Sequence, residues 1–173
     1  GMGPARRQAI REALKRNPIA IIWTEPEKLS LIDYLDRIFE PLIANNADYV
    51  APVRKDVSSY PEFQQKSEKM GNLFWEAVTG RSLDMFFGPR AWRSELSDYF
   101  LKYNGNKHDA LHIPVLDIIY NNHRILPIEI DFQYPKEQRE VEEKYAQEMI
   151  VKRLNQLYDL SKLTLDYWNK LNK

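Results

Sequence analysis

Pro18-Ile19-Ala20-Ile21-Ile22-Trp23-Thr24-Glu25-Pro26-Glu27-Lys28 is the stretch on which the reading of this chain turns. Five consecutive apolar residues, Ile19 to Trp23, follow a proline and stop at a polar turn. A short unbroken run of that kind suits a strand buried on both faces of a parallel sheet. Before it, residues 4–16 open with a proline and space Ala9, Ile10, Ala13 and Leu14 as a helix would. After it, residues 30–44 return to a helical period, with Ser30 as N-cap and Asp33 completing a capping-box variant. The same alternation continues down the chain. Residues 47–52 read as a second strand stopped by Pro52, and residues 53–60 as a loop. Pro61 opens a helix to about Val78, ended by Gly80. Leu83–Phe87 is a third apolar segment, and a helix is expected from Pro89 to about Tyr103. Residues 109–121 look helical around Pro114, Arg124–Phe132 alternates as a strand, and Pro135 opens a long helical C-terminus. Strands interleaved with helices predict an α/β fold in three layers, a small and largely parallel sheet flanked by helices.

The 173 residues suit one domain, and no repeat, low-complexity tract or Gly/Ser linker divides them. Residues 1–173 are therefore read as a single domain, with Gly1 before Met2 read as an expression scar and set aside. Twenty-five basic residues balance 25 acidic ones, whereas a protein that lives on phosphate-backbone contacts carries a basic surplus; no nucleic-acid partner is expected. The absence of cysteine excludes disulfides, zinc ribbons, iron–sulfur sites and a thiol nucleophile. No run reaches the roughly 18 apolar residues of a membrane span, and the expected setting is cytoplasmic.

In an α/β sheet, ligands gather beyond the carboxyl ends of the strands, so the polar residues there are the first candidates. Glu25 and Glu27, separated by a stiffening Pro26, can offer oxygens to one hard divalent cation; the competing reading is a polar turn with Glu27 at the positive end of the next helix. Gly88-Pro89-Arg90 permits close backbone approach and places a planar cation at an expected helix start, against the simpler reading of a strand-to-helix turn with Trp92 in the core. Asp131, Gln133 and Tyr134 close the last strand. On the long helical C-terminus Gln138, Glu142, Lys152 and Arg153 read as a solvated face. His108-Asp109-Ala110-Leu111-His112 has the outline of a two-histidine zinc motif, but Pro114 makes His112 a cap or loop residue. His123 reads as a surface turn residue. The aromatic residues from Tyr60 to Phe100, Trp75 and Trp92 among them, read as core. No glycine-rich phosphate loop and no G-x-S-x-G serine is present.

Taken in order, these segments resemble the later two-thirds of a GT-A-fold nucleotide-diphospho-sugar transferase of the family-2 glycosyltransferase kind, without its N-terminal nucleotide-binding portion. The resemblance is carried by Met2-Gly3-Pro4-Ala5-Arg6-Arg7, by the Glu25-Pro26-Glu27 pair where that family has Asp-x-Asp, and by Asp84…Gly88-Pro89-Arg90. It implies transfer of a sugar from a nucleotide-diphosphate donor to a small-molecule or glycan acceptor with a divalent cation, Mg2+ or Mn2+. It assigns the cation to Glu25, Glu27 and Gln133, substrate binding to Arg90, Gly88, Trp23 and Arg6, and catalysis to Asp109 and Asp84. Two other readings stand beside it: a degenerate GT-A-like binding or assembly module, which would homodimerise through an exposed sheet edge, and a small metal-dependent hydrolase built on the same carboxylates.

Overall fold

The apolar run after Pro18 forms β1 (Ala20–Trp23), preceded by α1 (Met2–Leu14), in a computed structural model that describes residues 1–173. A 3-10 turn over Leu29–Tyr34 leads into α2 (Leu35–Ile43), so the segment expected as one helix from Ser30 is two, and Ser30 makes no side-chain cap. β2 (Tyr49–Arg54) and α3 (Glu62–Thr79) follow, and then β3 (Arg90–Arg93). A 3-10 turn over Ser94–Leu96 joins β3 to α4 (Ser97–Lys102). Next come α5 (Asp109–His112) and α6 (Pro114–Tyr120), divided at Ile113 because Pro114 has no N–H to continue the ladder. β4 (Ile125–Ile130), α7 (Lys136–Lys144) and α8 (Ala146–Leu171) complete the chain.

Four strands form one sheet in the order β1-β3-β2-β4, with only β2 and β4 parallel. The sheet is therefore mixed, not largely parallel as expected. The difference comes from one segment. Leu83–Phe87 is an irregular loop rather than a strand, and the strand is Arg90–Arg93, inside the stretch expected as a helix. Ala91 and Trp92 point to opposite faces, each into a different apolar cluster, and β3 is hydrogen-bonded on both sides. Pairing on both sides outweighs any helical preference of four residues, because short segments carry little propensity of their own. β1 proves to be an edge strand with only Ile21 buried, not a strand buried on both faces. β2 runs through Pro52 instead of stopping there. Its pairing with β3 covers only Tyr49 and Val50, so Pro52 needs a partner on one side alone. β1 and β4 are the two edges.

The sheet separates two apolar clusters. Ile21, Tyr49, Ala51 and Trp92 face one with residues of α1 and α3–α6; Val50, Ala91, Ile128 and Ile130 face the other with Leu31 and the α2 residues Ile38 and Leu42. Trp92 stacks on Phe100 at 4.3 Å and donates its indole N–H to Ser97 Oγ, so its burial leaves no orphaned donor. No helix is long and apolar enough to cross a membrane.

Because β1, β2 and β4 point the same way and β3 runs against them, three carboxyl ends and the start of β3 share one margin of the sheet. Trp23 closes β1 opposite Arg90, which opens β3. α1 reaches this margin over the loop 103–108. There Gly3 donates its N–H to the Asn106 carbonyl, so closely that a β-carbon on residue 3 would overlap the Gly105 backbone. Gly3→Ala is expected to destabilise the fold by about 1–3 kcal/mol, since backbone on both sides must move; urea unfolding measures it, and an unchanged midpoint would refute this packing.

Candidate functional site

At that margin lies a cavity of about 310 Å³. Glu25, Glu27 and Lys28 from the turn after β1 line it, as do Arg6 of α1, Gly88 and Arg90, Arg54 at the end of β2, and Phe132 and Tyr134 after β4. α3 and α8 close the far side. Buried Gln64, Glu68, Gly71 and Trp75 make an i, i+4, i+7, i+11 stripe on α3; Arg153, Leu157, Leu160 and Thr164 make the same stripe on α8. Polar groups at the cavity end of these two stripes meet inside the protein.

The centre of that meeting is Arg54. Its Nε and Nη2 donate to the two oxygens of Asp84 at 2.6 and 2.8 Å, and Nη1 lies 2.8 Å from Glu68 Oε2. The guanidinium also sits over the rings of Tyr60 (4.7 Å) and Phe87 (5.2 Å). Burial pushes the Asp84 carboxyl up, but the paired hydrogen bonds and charge of Arg54, with help from Asn72, override it and hold Asp84 below the usual carboxylate range. Glu68 has a single Arg54 contact. There burial outweighs the attraction of Arg54 and Arg153, and its carboxyl is raised. Arg153 lies 3.7 Å from Glu68 and 3.8 Å from Glu142, carrying the network on to α7 and α8.

The sequence candidates divide between three places. Arg6, Glu25, Glu27, Gly88 and Arg90 meet at the cavity. Glu25 is ion-paired with Lys28 at 2.8 Å, and its carboxylate rests against Gly88, where a β-carbon would lie 2.6 Å from Oε1. Gly88 also has φ +97°, a backbone conformation that calls for glycine there. The Arg90 guanidinium donates to the carbonyls of Pro89 and Asp84, which locks it in the wall. Trp23 stands behind Arg6, ring centroid 5.2 Å from its guanidinium carbon, and positions it. Burial lowers the Arg6 pKa, while Glu25 and Asp109 act to raise it.

Asp84 is buried beneath the cavity with its oxygens occupied. Asp109 faces a neighbouring groove, where it accepts the Lys107 N–H and the Tyr103 hydroxyl. Gln133 is exposed and donates to Asp131, away from the cavity. No three acidic or histidine side chains cluster as metal ligands anywhere in the chain. With Glu25 neutralised by Lys28 and Gln133 turned aside, Glu25, Glu27 and Gln133 as placed do not fit a Mg2+ or Mn2+ centre.

Arg54, Tyr60, Gln64 and Glu68 went unread as site residues, and on the helices read as a solvated face Glu142 is buried and Arg153 half-buried in the cavity wall. One signal was available: Glu68 and Arg153 each fall on the inward-facing stripe of their helix. His112 is neither cap nor loop but core, edge-on to Trp75 at 4.7 Å. Burial, with Arg90 and His108 nearby, lowers its pKa to about 3, so it is neutral at pH 7. Thr164 donates its hydroxyl proton to the Leu160 carbonyl, so its oxygen accepts from His112 Nε2, which fixes the tautomer. His123 is half-buried and bonded to the Tyr99 hydroxyl at 3.0 Å rather than free on a turn.

Comparison with protein-family models, with curated protein sequences and with solved structures finds no match to this chain.

Asp84→Asn is expected to destabilise the protein by about 3–5 kcal/mol at pH 7, because Arg54 loses its principal counter-charge. A carboxylate depressed in the folded state stabilises above its unfolded pKa of about 4 and loses that contribution as pH falls through its folded value. Urea unfolding at pH 7, 4 and 3 should show the gap between wild type and variant shrinking; a gap independent of pH would contradict the assignment.

Proposed function

We propose that the cavity binds the diphosphate-sugar part of a nucleotide sugar and that the chain is a glycosyltransferase-like domain. The observation that carries this reading is the convergence of three separate segments, carrying Arg6, Glu25 and Gly88-Pro89-Arg90, at one opening beyond the carboxyl ends of β1, β2 and β4. Two further features support it. Arg6 is buried, yet its Nε has no hydrogen-bond partner, so a donor is held in the wall without an acceptor. Lys28 and Lys152 also line the cavity, from opposite sides, and can neutralise phosphate oxygens without a metal.

In this reading the bond from the anomeric carbon to the diphosphate breaks and a bond to an acceptor hydroxyl oxygen forms. The diphosphate leaves with the electron pair, and Arg6 and Lys28 stabilise its charge. Asp109, in the adjoining groove, takes the acceptor proton. Asp84 holds Arg54 and does not touch substrate. No step is routed through a divalent cation.

A binding module that takes the same ligand without turnover is the second reading. The Glu25–Lys28 ion pair favours it, since it occupies the carboxylate that the resemblance assigns to catalytic metal. Calorimetry with a panel of nucleotide-diphosphate sugars, each with and without Mg2+ or Mn2+, tests both. At least one donor should bind, and Arg6→Ala should weaken it by about 10- to 100-fold, the worth of a charge-assisted hydrogen bond. Binding with no release of nucleoside diphosphate selects the binding module. No heat with any donor, from protein whose circular dichroism is native, removes the nucleotide-sugar reading. Enhancement by Mn2+ that disappears in Glu27→Gln would restore the metal.

A further inference from the structure

We propose that the groove beside the cavity, between residues 103–109 and α8, is a docking site for a neutral oligosaccharide; only its role as acceptor rests on the transferase reading above. The groove, about 840 Å³, is the larger space, and His108, Lys152, Gln156 and Leu160 form a wall common to it and the cavity. A molecule lying in it therefore ends next to the cavity.

The lining chemistry selects the ligand class. Asn104, Asn106, Asn155 and Gln156 line it with amides, Asn106 and Asn155 with a donor beside an acceptor and Asn104 and Gln156 with their NH2 groups, which is what neighbouring hydroxyls on a sugar ring require. Charge gives no preference for an ion: Lys107, Lys152 and Lys162 stand against Asp109, Asp159 and Asp166, and Lys107 already lies 4.0 Å from Asp159. A phosphorylated or sulfated ligand would meet those carboxylates with no cationic surplus in return. Tyr158 lines the groove with 66% of its surface exposed, leaving a flat ring on which the apolar face of a sugar can rest.

The groove is also formed in advance. Residues 103–108 contain no strand and only the start of a turn, yet they are tied down along their length. Buried Arg7 donates through Nη1 to the carbonyls of Tyr103 and Gly105 and through Nη2 to Asn104 Oδ1. Arg6 reaches the Lys107 carbonyl, Gly3 the Asn106 carbonyl, and Asp109 accepts the Lys107 N–H. The Arg7 contact orients the Asn104 amide, occupying its oxygen and leaving its NH2 for a ligand. A wall already ordered loses little conformational entropy when a flexible, weakly bound ligand arrives.

An array of immobilised neutral, sialylated and sulfated oligosaccharides probed with the full chain tests the proposal, with calorimetry on the best glycan in solution. Neutral glycans should bind; Tyr158→Ala should weaken them about tenfold, the scale of one aromatic contact, and Asn155→Ala severalfold. Both side chains are exposed, and circular dichroism confirms that the variants fold. Tyr158→Ala should leave nucleotide-sugar affinity unchanged, and Lys28→Ala should leave glycan affinity unchanged. Absence of glycan binding, a preference for acidic glycans, or binding insensitive to both Tyr158→Ala and Asn155→Ala overturns the proposal. Glycan binding that passes these tests while every nucleotide sugar fails would keep the groove and discard the transferase.

Discussion

Arg54 is a guanidinium held almost out of water at the end of β2, between Asp84 and Glu68. A buried charge without its partners costs several kcal/mol, so the elements supplying those partners are obliged to stay in place. Asp84 belongs to an irregular segment, Glu68 to α3, and Glu68 is shared with Arg153 of α8. One side chain thus ties the central sheet to the helices on its flank. It also explains how residues 83–89 keep a defined course without helix or strand. Asp84 is anchored by Arg54 and Asn72, the Met85 N–H donates to the Asn72 amide oxygen, and Arg90 returns a hydrogen bond to the Asp84 carbonyl.

This arrangement gives the cavity a floor and a rim with different duties. On the floor the strongest charges are already matched to each other, which makes them rigid and leaves them little to offer a ligand. Other lining groups keep unspent hydrogen-bonding capacity: Arg6 Nε, Tyr60 Oη, Gln64 Oε1, Glu142 Oε2 and Arg153 Nε have no partner, and Lys28 stands on its short leash to Glu25. Chemistry performed here would belong to those groups, with Arg54, Asp84 and Glu68 serving to hold the walls.

The two consecutive arginines of α1 divide their labour in a way that links cavity and groove. Successive residues on a helix point about 100° apart, so Arg6 lines the cavity over Trp23 while Arg7 holds residues 103–105 from behind. Both require α1 to lie close against that loop, which is what Gly3 permits. The two spaces are therefore built on one helix, and a shift of α1 would disturb them together.

Local pattern was enough for most of the elements. Pro18 and the apolar run after it, the helical spacing of Ile10 and its neighbours, Pro61 with Gly80, Pro114 and Pro135 each mark a boundary near where it falls, because those residues act through their own backbone. The strands after Gly88 and beyond Pro52 were beyond reach. Whether Arg90-Ala91-Trp92-Arg93 extends or coils is decided by partners on both sides, and those lie about 40 and 70 residues away. The direction of β3, and with it the mixed sheet, follows from the same pairing. The site shows the same split. Glu25, Gly88 and Arg90 were legible because each sits at a break in a local pattern, whereas Arg6, inside α1, was named only by the resemblance. Arg153 and Glu142 read as solvated charges, since a charged residue on a helix normally faces water, and nothing singled out Glu68. Only the docking of α8 on α3 turns them inward, and Gln133 and Asp109 face elsewhere for the same reason: local pattern sets which residues form an element, and the contacts between elements set what each side chain meets.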